Sequence, residues 1–368
     1  MKLALIRRQF SATGGAELYL QRLLRALAEQ NHELHLFSES WEPLPEGVAL
    51  HPVKISATRA TRGLRFAEAV QSALANEKFD CVFSLERTLK QDVYRAGDGV
   101  HRVWLERRRQ FAPWWKKPFV GTGAFHRNMR ALEARTFDPH NTCRVIVNSE
   151  MVKREILEHF PFPAERIHLV RNGVDVARFQ NGRRAETRAR FGVKDDEFLW
   201  LFAGSGWERK GLKFVLQAFE RLSVRHCRHC PPPKIKLLVA GKGRKPPGVA
   251  NGVIFSEQAG DLEHYYAAAD LFVFPPIYEP SANVVFEALA AGLPVVTSAS
   301  NGAAEIILEN VTGSVVEEFW RPEILAEAVK KWMERPRRVT VNAAEFSLER
   351  NVSETLAVLE LAAKERAK

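Results

Sequence analysis

The sequence predicts an α/β protein in two halves, each a parallel β-sheet covered by helices on both faces. Short strand-like apolar runs alternate with longer helical stretches, which is the pattern of a parallel sheet. The alternation stops at a polar, Arg-rich helical stretch, 182–192, and then restarts. At 368 residues the chain also exceeds one ordinary core, so two domains of similar size are expected.

Residues 2–6 read as the first strand, because the apolar run turns charged at Arg7-Arg8 after only a strand's length. That is too short for a signal peptide. Residues 15–30 read as a helix, with Leu18, Leu20, Leu23, Leu24 and Leu27 forming its apolar stripe. Strands are expected at 33–38, 48–55, 81–85, 92–94, 143–148 and 167–170, with helices at 63–76, 128–136 and 151–159 between them. The second half repeats the scheme with strands at 198–202, 235–240, 253–255, 271–274 and 294–298. A final Leu-, Ala- and Glu-rich helix spans 346–367. The expected layout is a Rossmann-like domain at 1–170, a second at 171–345, and a terminal segment 346–368 that packs back on the first.

Hydrophobic residues make up 46% of the chain and charged residues 27%, as in an ordinary folded protein. No apolar run reaches the roughly 18 residues that span a bilayer. Four cysteines, at 81, 143, 227 and 230, form no disulfide framework, which suits a reducing cytoplasm. The formal charge is +10, and its distribution is uneven. Between His101 and Arg135, nine Lys and Arg residues face only Glu106 and Glu133. Trp104, Arg107, Arg108, Trp114, Trp115, Lys116 and Lys117 lie in that segment, and such interleaving suits a membrane interface or a single-stranded nucleic acid. Paired tryptophans beside paired lysines would be costly on a merely solvated helix face.

Two carboxylates, Glu279 and Glu287, flank the start of a helix that follows the 271–274 strand. Glu279 falls in a loop at a strand's carboxyl end, where open α/β sheets bind ligands, and Glu287 lies two turns into the helix. The helix is expected to begin at Pro280-Ser281, leaving amides free to meet an anion. Thr13-Gly14-Gly15 joins the first strand to the first helix; there, glycines let a phosphate approach, although turn chemistry alone also asks for them. Gly204-Ser-Gly-Trp-Glu-Arg209-Lys210-Gly211 sets two cations at another strand-to-helix turn, suited to a diphosphate. A solvated helix start would not ask for cations at the positive end of the macrodipole. Asp98 and His101 stand in a glycine-bounded loop and are candidates for handling an acceptor, against a purely structural histidine. His226-Cys227-Arg228-His229-Cys230 has ligand types for zinc but no second pair at metal-site spacing, and reads as a surface loop.

Taken together, these residues resemble the retaining nucleotide-sugar glycosyltransferases of family 4, which have the GT-B fold of two facing Rossmann-like domains. The likeness covers nearly the whole chain. Its pieces are Gly14-Gly15-Ala16-Glu17, Asn148-Ser149-Glu150, Asn172-Gly173-Val174-Asp175, Arg209-Lys210-Gly211, Ala240-Gly241-Lys242-Gly243, and Glu279 with Glu287. The resemblance implies that Glu279 holds hydroxyls of the donor sugar and Glu287 the nucleotide ribose. Arg209 and Lys210 would hold the diphosphate, Gly15 would face it from the other domain, and the amides of Ala282, Asn283 and Val284 would add donors. Many members carry an Arg where this chain has Ser205; Arg209 or Arg178 would then supply the second cation.

The resemblance is narrowest to the lipopolysaccharide core glucosyltransferase I group, through residues 92–104 and the basic aromatic segment. It implies a hexose, glucose, moved from UDP-glucose to a lipid-linked heptose acceptor, on an anionic membrane surface at the cytoplasmic face. No cofactor and no metal are expected, since no Asp-x-Asp pair sits at a strand end. With no enzyme nucleophile evident, retention would follow from front-side attack, a phosphate oxygen taking the proton. Two rivals stand beside this reading. A GT-B transferase or epimerase acting on another glycan or a soluble acceptor would keep the donor residues without needing the Trp-rich segment. A nucleic-acid-binding protein would explain the basic charge but leave the glutamate pair unused; no nucleic acid is expected.

Overall fold

The computed structural model describes residues 1–9, 15–44, 46–223, 234–257, 261–335 and 337–366, without the side chains of 15–19 and 22. The chain divides into two compact units, Met1–Arg171 with Glu349–Lys368, and Asn172–Leu348.

The first unit contains β1 (Lys2–Ile6), α1 (Gly15–Glu29), β2 (Glu33–Ser38), β3 (Val48–Pro52), α2 (Arg62–Leu74), β4 (Cys81–Ser84) and β5 (Gln91–Arg95). It continues through α3 (His101–Phe111), α4 (Ala124–Thr136), β6 (Thr142–Val147), α5 (Glu150–His159) and β7 (Ile167–Leu169). Its seven strands are parallel in the order β3-β2-β1-β4-β5-β6-β7. The direction of winding reverses between β1 and β4, which makes that edge the switch point of a doubly wound sheet. Leu20, Leu23, Leu24 and Leu27 of α1 are fully buried, as the helical spacing of the stripe requires. Ser149 starts α5 by accepting a hydrogen bond from the Val152 amide at 3.2 Å.

The second unit opens with α6 (Val176–Gln180) and α7 (Arg184–Arg190), then β8 (Phe198–Ala203), α8 (Trp207–Lys210), α9 (Leu212–Ser223), β9 (Ile235–Ala240) and β10 (Val253–Ser256). It ends with α10 (Leu262–Ala268), β11 (Leu271–Phe274), α11 (Asn283–Ala290), β12 (Val295–Ser298), β13 (Gly313–Val316) and α12 (Pro322–Met333). Its order, β10-β9-β8-β11-β12-β13, repeats the first six strands of the other sheet. Every residue of β8 and β11 is buried, as expected for central parallel strands covered on both faces.

The terminal helix α13 (Leu348–Arg366) carries residues of the first unit. There, Arg144 of β6 pairs with Glu365, Arg366 reaches Asp92 of β5 at 2.7 Å, and Asn351 donates to the Arg171 carbonyl at 2.5 Å. Sequence periodicity passed over β13, whose Gly313-Ser-Val-Val run is too short and small to stand out. It merged α3 into a general basic segment because charge masks the helical stripe; only Val103 and Leu105 of α3 are buried.

Candidate active site

In the second unit the switch point lies between β8 and β11, and the cations and glutamates of the sequence reading gather there. β8 ends at Ala203, and Gly204 follows with φ of +137°. A side chain at Gly204 would lie 2.7 Å from the Lys210 amine, so the lysine folds back over bare backbone. Its Nζ sits 5.9 Å from the centre of the Phe274 ring at the end of β11. Burial pushes the Lys210 ammonium below its ordinary value; Glu279 and Glu287 oppose that shift and Arg209 adds to it. Gly211, φ +79°, ends the short helix, and a Cβ there would collide with the Pro275 carbonyl at 1.9 Å. The Arg209 carbonyl accepts from the Ile277 amide at 2.9 Å, which binds the β8 turn to the loop that carries Glu279.

Glu279 forms a parallel bridge with Asn301: its amide donates to the Ser300 carbonyl at 3.0 Å and its carbonyl accepts from Gly302 at 2.9 Å. Its Oε2 lies 3.1 Å from Arg209 Nη1, in an ion pair whose side chains are 15% and 39% exposed. That oxygen is buried yet makes no well-aligned hydrogen bond, so part of its accepting capacity remains open. Glu287, on α11, accepts from the Tyr266 hydroxyl at 2.9 Å. Burial, first, and the Glu287 charge hold the Tyr266 phenol well above its usual value, so it stays a donor.

The helix start differs from expectation. α11 begins at Asn283, with Ala282 as its cap, and the Ala282 amide donates to Asn301 Oδ1 at 3.2 Å. Ala282 is therefore not a free donor, because Asn301 has taken its hydrogen. Among the described residues no acceptor is bonded to the amides of Asn283 and Val284. Asn172, from the Asn-Gly-Val-Asp turn, donates to the Ser281 carbonyl at 3.0 Å and to Asn283 Oδ1 at 2.6 Å, fixing the turn before the helix. Arg178 gives two hydrogen bonds to Glu263 Oε2, at 3.1 and 2.8 Å. Of the two cations considered in place of an arginine at Ser205, Arg209 is the one beside Glu279. Ser205 itself accepts from the Lys242 amide at 3.0 Å. Tyr266 and Asn301 are not singled out by the sequence, which marks Phe274 only as the end of a strand; the Asn301-Gly302 pair after a strand is the one available signal.

In the first unit, Asp98 is exposed on the loop after β5, and His101 is the first residue of α3. The loop is held from beneath by Glu133 of α4, which is 1% exposed. Glu133 Oε1 accepts from the His101 amide at 2.7 Å and from Arg87 at 3.0 and 3.2 Å, and Arg87 also donates to the Gly99 carbonyl at 2.7 Å. The His101 and His126 rings share a hydrogen bond of 3.0 Å. Burial, then the charge of Arg87, pushes His101 down to about 4, so its ring is neutral at physiological pH. Gly15 is the first residue of α1; Gly14 and the 226–230 His/Cys cluster lie outside the described residues.

Past α3, Trp114, Trp115, Lys116, Lys117 and Phe119 form an exposed turn, with Trp114 80% and Phe119 74% accessible. The two tryptophan rings meet edge to face, 5.9 Å apart. Trp104 and Arg108 are half-buried on α3, and Arg107 is exposed.

Residues 13–178 match the family profile described as Glycosyltransferase Family 4, and residues 183–346 match that of Glycosyl transferases group 1. The chain is a family 4 glycosyltransferase. The lipopolysaccharide glucosyltransferase WaaG of Escherichia coli K12 is 26% identical over 334 residues, 86% of each chain. An uncharacterized glycosyltransferase of Methanocaldococcus jannaschii, MJ1607, is 26% identical over 85% of this transferase and 84% of its own length. The crystal structure of WaaG superposes with a TM-score of 0.76 at 25% identity, covering 99% of this chain and 98% of that one. Anabaena Alr3699/HepE, in complex with UDP and glucose, shares the GT-B fold at 17% identity, with a TM-score of 0.73 and coverage of 98% and 99%. The matched family 4 profile spans the Asp98 and His101 loop of the transferase; the group 1 profile spans Arg209, Lys210, Glu279 and Glu287.

Proposed function

We propose that the chain is a retaining hexosyltransferase that moves glucose from UDP-glucose to a lipid-linked acceptor, the heptose of the lipopolysaccharide inner core. The observation that carries this reading is the β8/β11 switch point. A half-buried lysine, an arginine and two glutamates converge there, and one carboxylate oxygen lacks a well-aligned donor. Two cations beside two carboxylates match a ligand that is anionic at its diphosphate and rich in hydroxyls at its sugar and ribose. The likeness to WaaG, a lipopolysaccharide glucosyltransferase, supports the sugar and the acceptor. The fold shared with HepE, a protein crystallised with UDP and glucose, supports the nucleotide.

Departure of the diphosphate concentrates negative charge on its oxygens as the anomeric centre becomes oxocarbenium-like. Lys210 and Arg209 stabilise that charge, and the partial burial of Lys210 strengthens the effect. The Asn283 and Val284 amides add donors at a helix start, where a macrodipole favours anions. Glu279 holds sugar hydroxyls and Glu287, steadied by Tyr266, holds the ribose. Asp98 and neutral His101 orient the acceptor hydroxyl, and a phosphate oxygen takes its proton on the face the diphosphate leaves. The cations make an added metal unnecessary, so Mg²⁺ or Mn²⁺ should not change the rate.

No described helix is long and apolar enough to cross a membrane. The exposed Trp114–Phe119 turn with its lysines supports peripheral attachment to an anionic bilayer at the cytoplasmic face. A thermal-shift panel of nucleotide sugars, followed by transfer to truncated lipopolysaccharide, tests the whole reading. UDP-glucose should stabilise the protein most, and transfer should need a heptose-terminated acceptor. Stabilisation by another donor, or transfer to soluble sugars alone, would overturn the assignment.

A further inference from the structure

On β2 and the edge strand β3 of the first sheet lies a cluster that the glycosyl-transfer reading does not use. His35 of β2 and His51 of β3 lie on one face of the sheet, their registers two residues apart. His35 Nδ1 and His51 Nε2 are 2.8 Å from each other, and Glu77 Oε2, from the α2–β4 connection, is 3.8 Å from His35 Nδ1. One ligand atom from each of the three falls within 4.8 Å of the others. The second nitrogen of His35 lies 2.9 Å from Glu33 Oε1. Phe37 stacks on the His51 ring at 4.4 Å, and Phe79 meets His35 edge-on at 5.1 Å, so both imidazoles are held in place by packing.

We propose that His35, His51 and Glu77 form a binding site for a zinc-like divalent ion, distinct from the donor site. Two imidazole nitrogens and one carboxylate are a ligand set that zinc accepts, with water as the fourth ligand. Glu33 supplies the carboxylate partner that orients a metal-bound histidine and keeps its other nitrogen available to the ion. Tetrahedral zinc with bonds of about 2.0 Å separates two nitrogens by about 3.3 Å. The two rings therefore need to part by only about half an ångström. His51 and Glu77 are half-buried, so the site is within reach of solvent, and Glu77 and Phe79 also form part of the wall of a cavity of about 510 Å³. Lys2 now pairs with both carboxylates, 2.9 Å from Glu33 and 2.6 Å from Glu77, and so competes with the ion for them. Bound there, the ion would tie β2, β3 and the chain after α2 together, a structural role apart from leaving-group chemistry.

The test is Zn²⁺ binding by calorimetry, with Co²⁺ absorption as a spectroscopic probe. The full chain would carry Cys227→Ser and Cys230→Ser, which removes both thiols of the 226–230 cluster. One equivalent should bind, with Co²⁺ d–d bands and no thiolate charge-transfer band, and Zn²⁺ should raise the melting temperature. His51→Asn and Glu77→Gln should each weaken binding at least tenfold, the exposed Glu33→Gln by about 10- to 100-fold, and Lys2→Gln should tighten it. Circular dichroism would establish that each variant is folded. No binding in this background, or an affinity unchanged by both His51→Asn and Glu77→Gln, would overturn the site.

Discussion

Glu133 and Glu279 both sit low in solvent exposure beside an arginine, in two units whose sheets share the same winding, yet their surroundings are opposite. Glu133 accepts from Arg87 and from the His101 and Arg102 amides, and nothing about it is left to satisfy. Glu279 is paired with Arg209, but one of its buried oxygens has no well-aligned donor, and Arg209 is more than a third exposed. A saturated buried pair fixes backbone; an unsaturated one at a strand's carboxyl end is poised for a ligand. The contrast separates scaffold from site within one architecture, and mutation should divide along the same line.

The largest effect is expected on the scaffold side. Glu133→Ala strands the Arg87 charge in the interior, and loss of one partner of a buried pair costs about 3–5 kcal/mol. Urea denaturation should show that loss; near-normal stability would mean the pair is not the scaffold described. On the site side, Lys210→Ala should lower transfer by about 10²- to 10³-fold, in line with removal of one preorganised donor to developing charge. Its melting temperature should stay close to that of the parent. A variant that unfolds while keeping its specific activity would erase the distinction. Glu279→Gln should likewise abolish most transfer with the fold intact, and full activity would remove Glu279 from the site.

A smaller effect sharpens the comparison inside the second unit. Tyr266→Phe deletes the hydroxyl that steadies Glu287, at a cost of about 1 kcal/mol in stability. If Glu287 holds the ribose, KM for the donor should rise severalfold with kcat little changed; a purely structural tyrosine would leave KM alone. A further expected effect is a slope in pH. His101 has its folded value depressed to about 4 from an ordinary 6.5, so the unfolded chain binds the proton more readily between those limits. Stability is therefore fully present above about 6.5 and declines as pH falls toward 4. His101→Gln should flatten that part of the stability profile, and proton NMR of the parent should show this ring still neutral at pH 6.

Local chemistry was legible from the sequence where neighbours in the chain do the work. The strand β11, the helix after it, and the cations Arg209 and Lys210 follow from apolar runs, glycines and charge within a few residues. Contacts between distant segments were not legible. Glu133 meets Arg87 across 46 residues, Tyr266 meets Glu287 across 21, and Asn301 captures the Ala282 amide across 19. That last contact is why the expected helix start shifted to Asn283 and why Ala282 drops out as a donor. The basic aromatic segment announced itself by composition, but composition did not divide it into the amphipathic α3 and the exposed tryptophan turn.

The return of α13 has a consequence for how the chain is made. Residues 349–366 belong to the first unit but are synthesised after the whole of the second. A nascent chain that has completed both sheets still lacks the ion-pair partners of Asp92 and Arg144 on β5 and β6, Arg366 and Glu365. If domains fold as they leave the ribosome, amino-terminal first, the unit begun first is the one finished last. Trimming the chain before residue 349 would then injure not the adjacent unit but the one that starts at Met1.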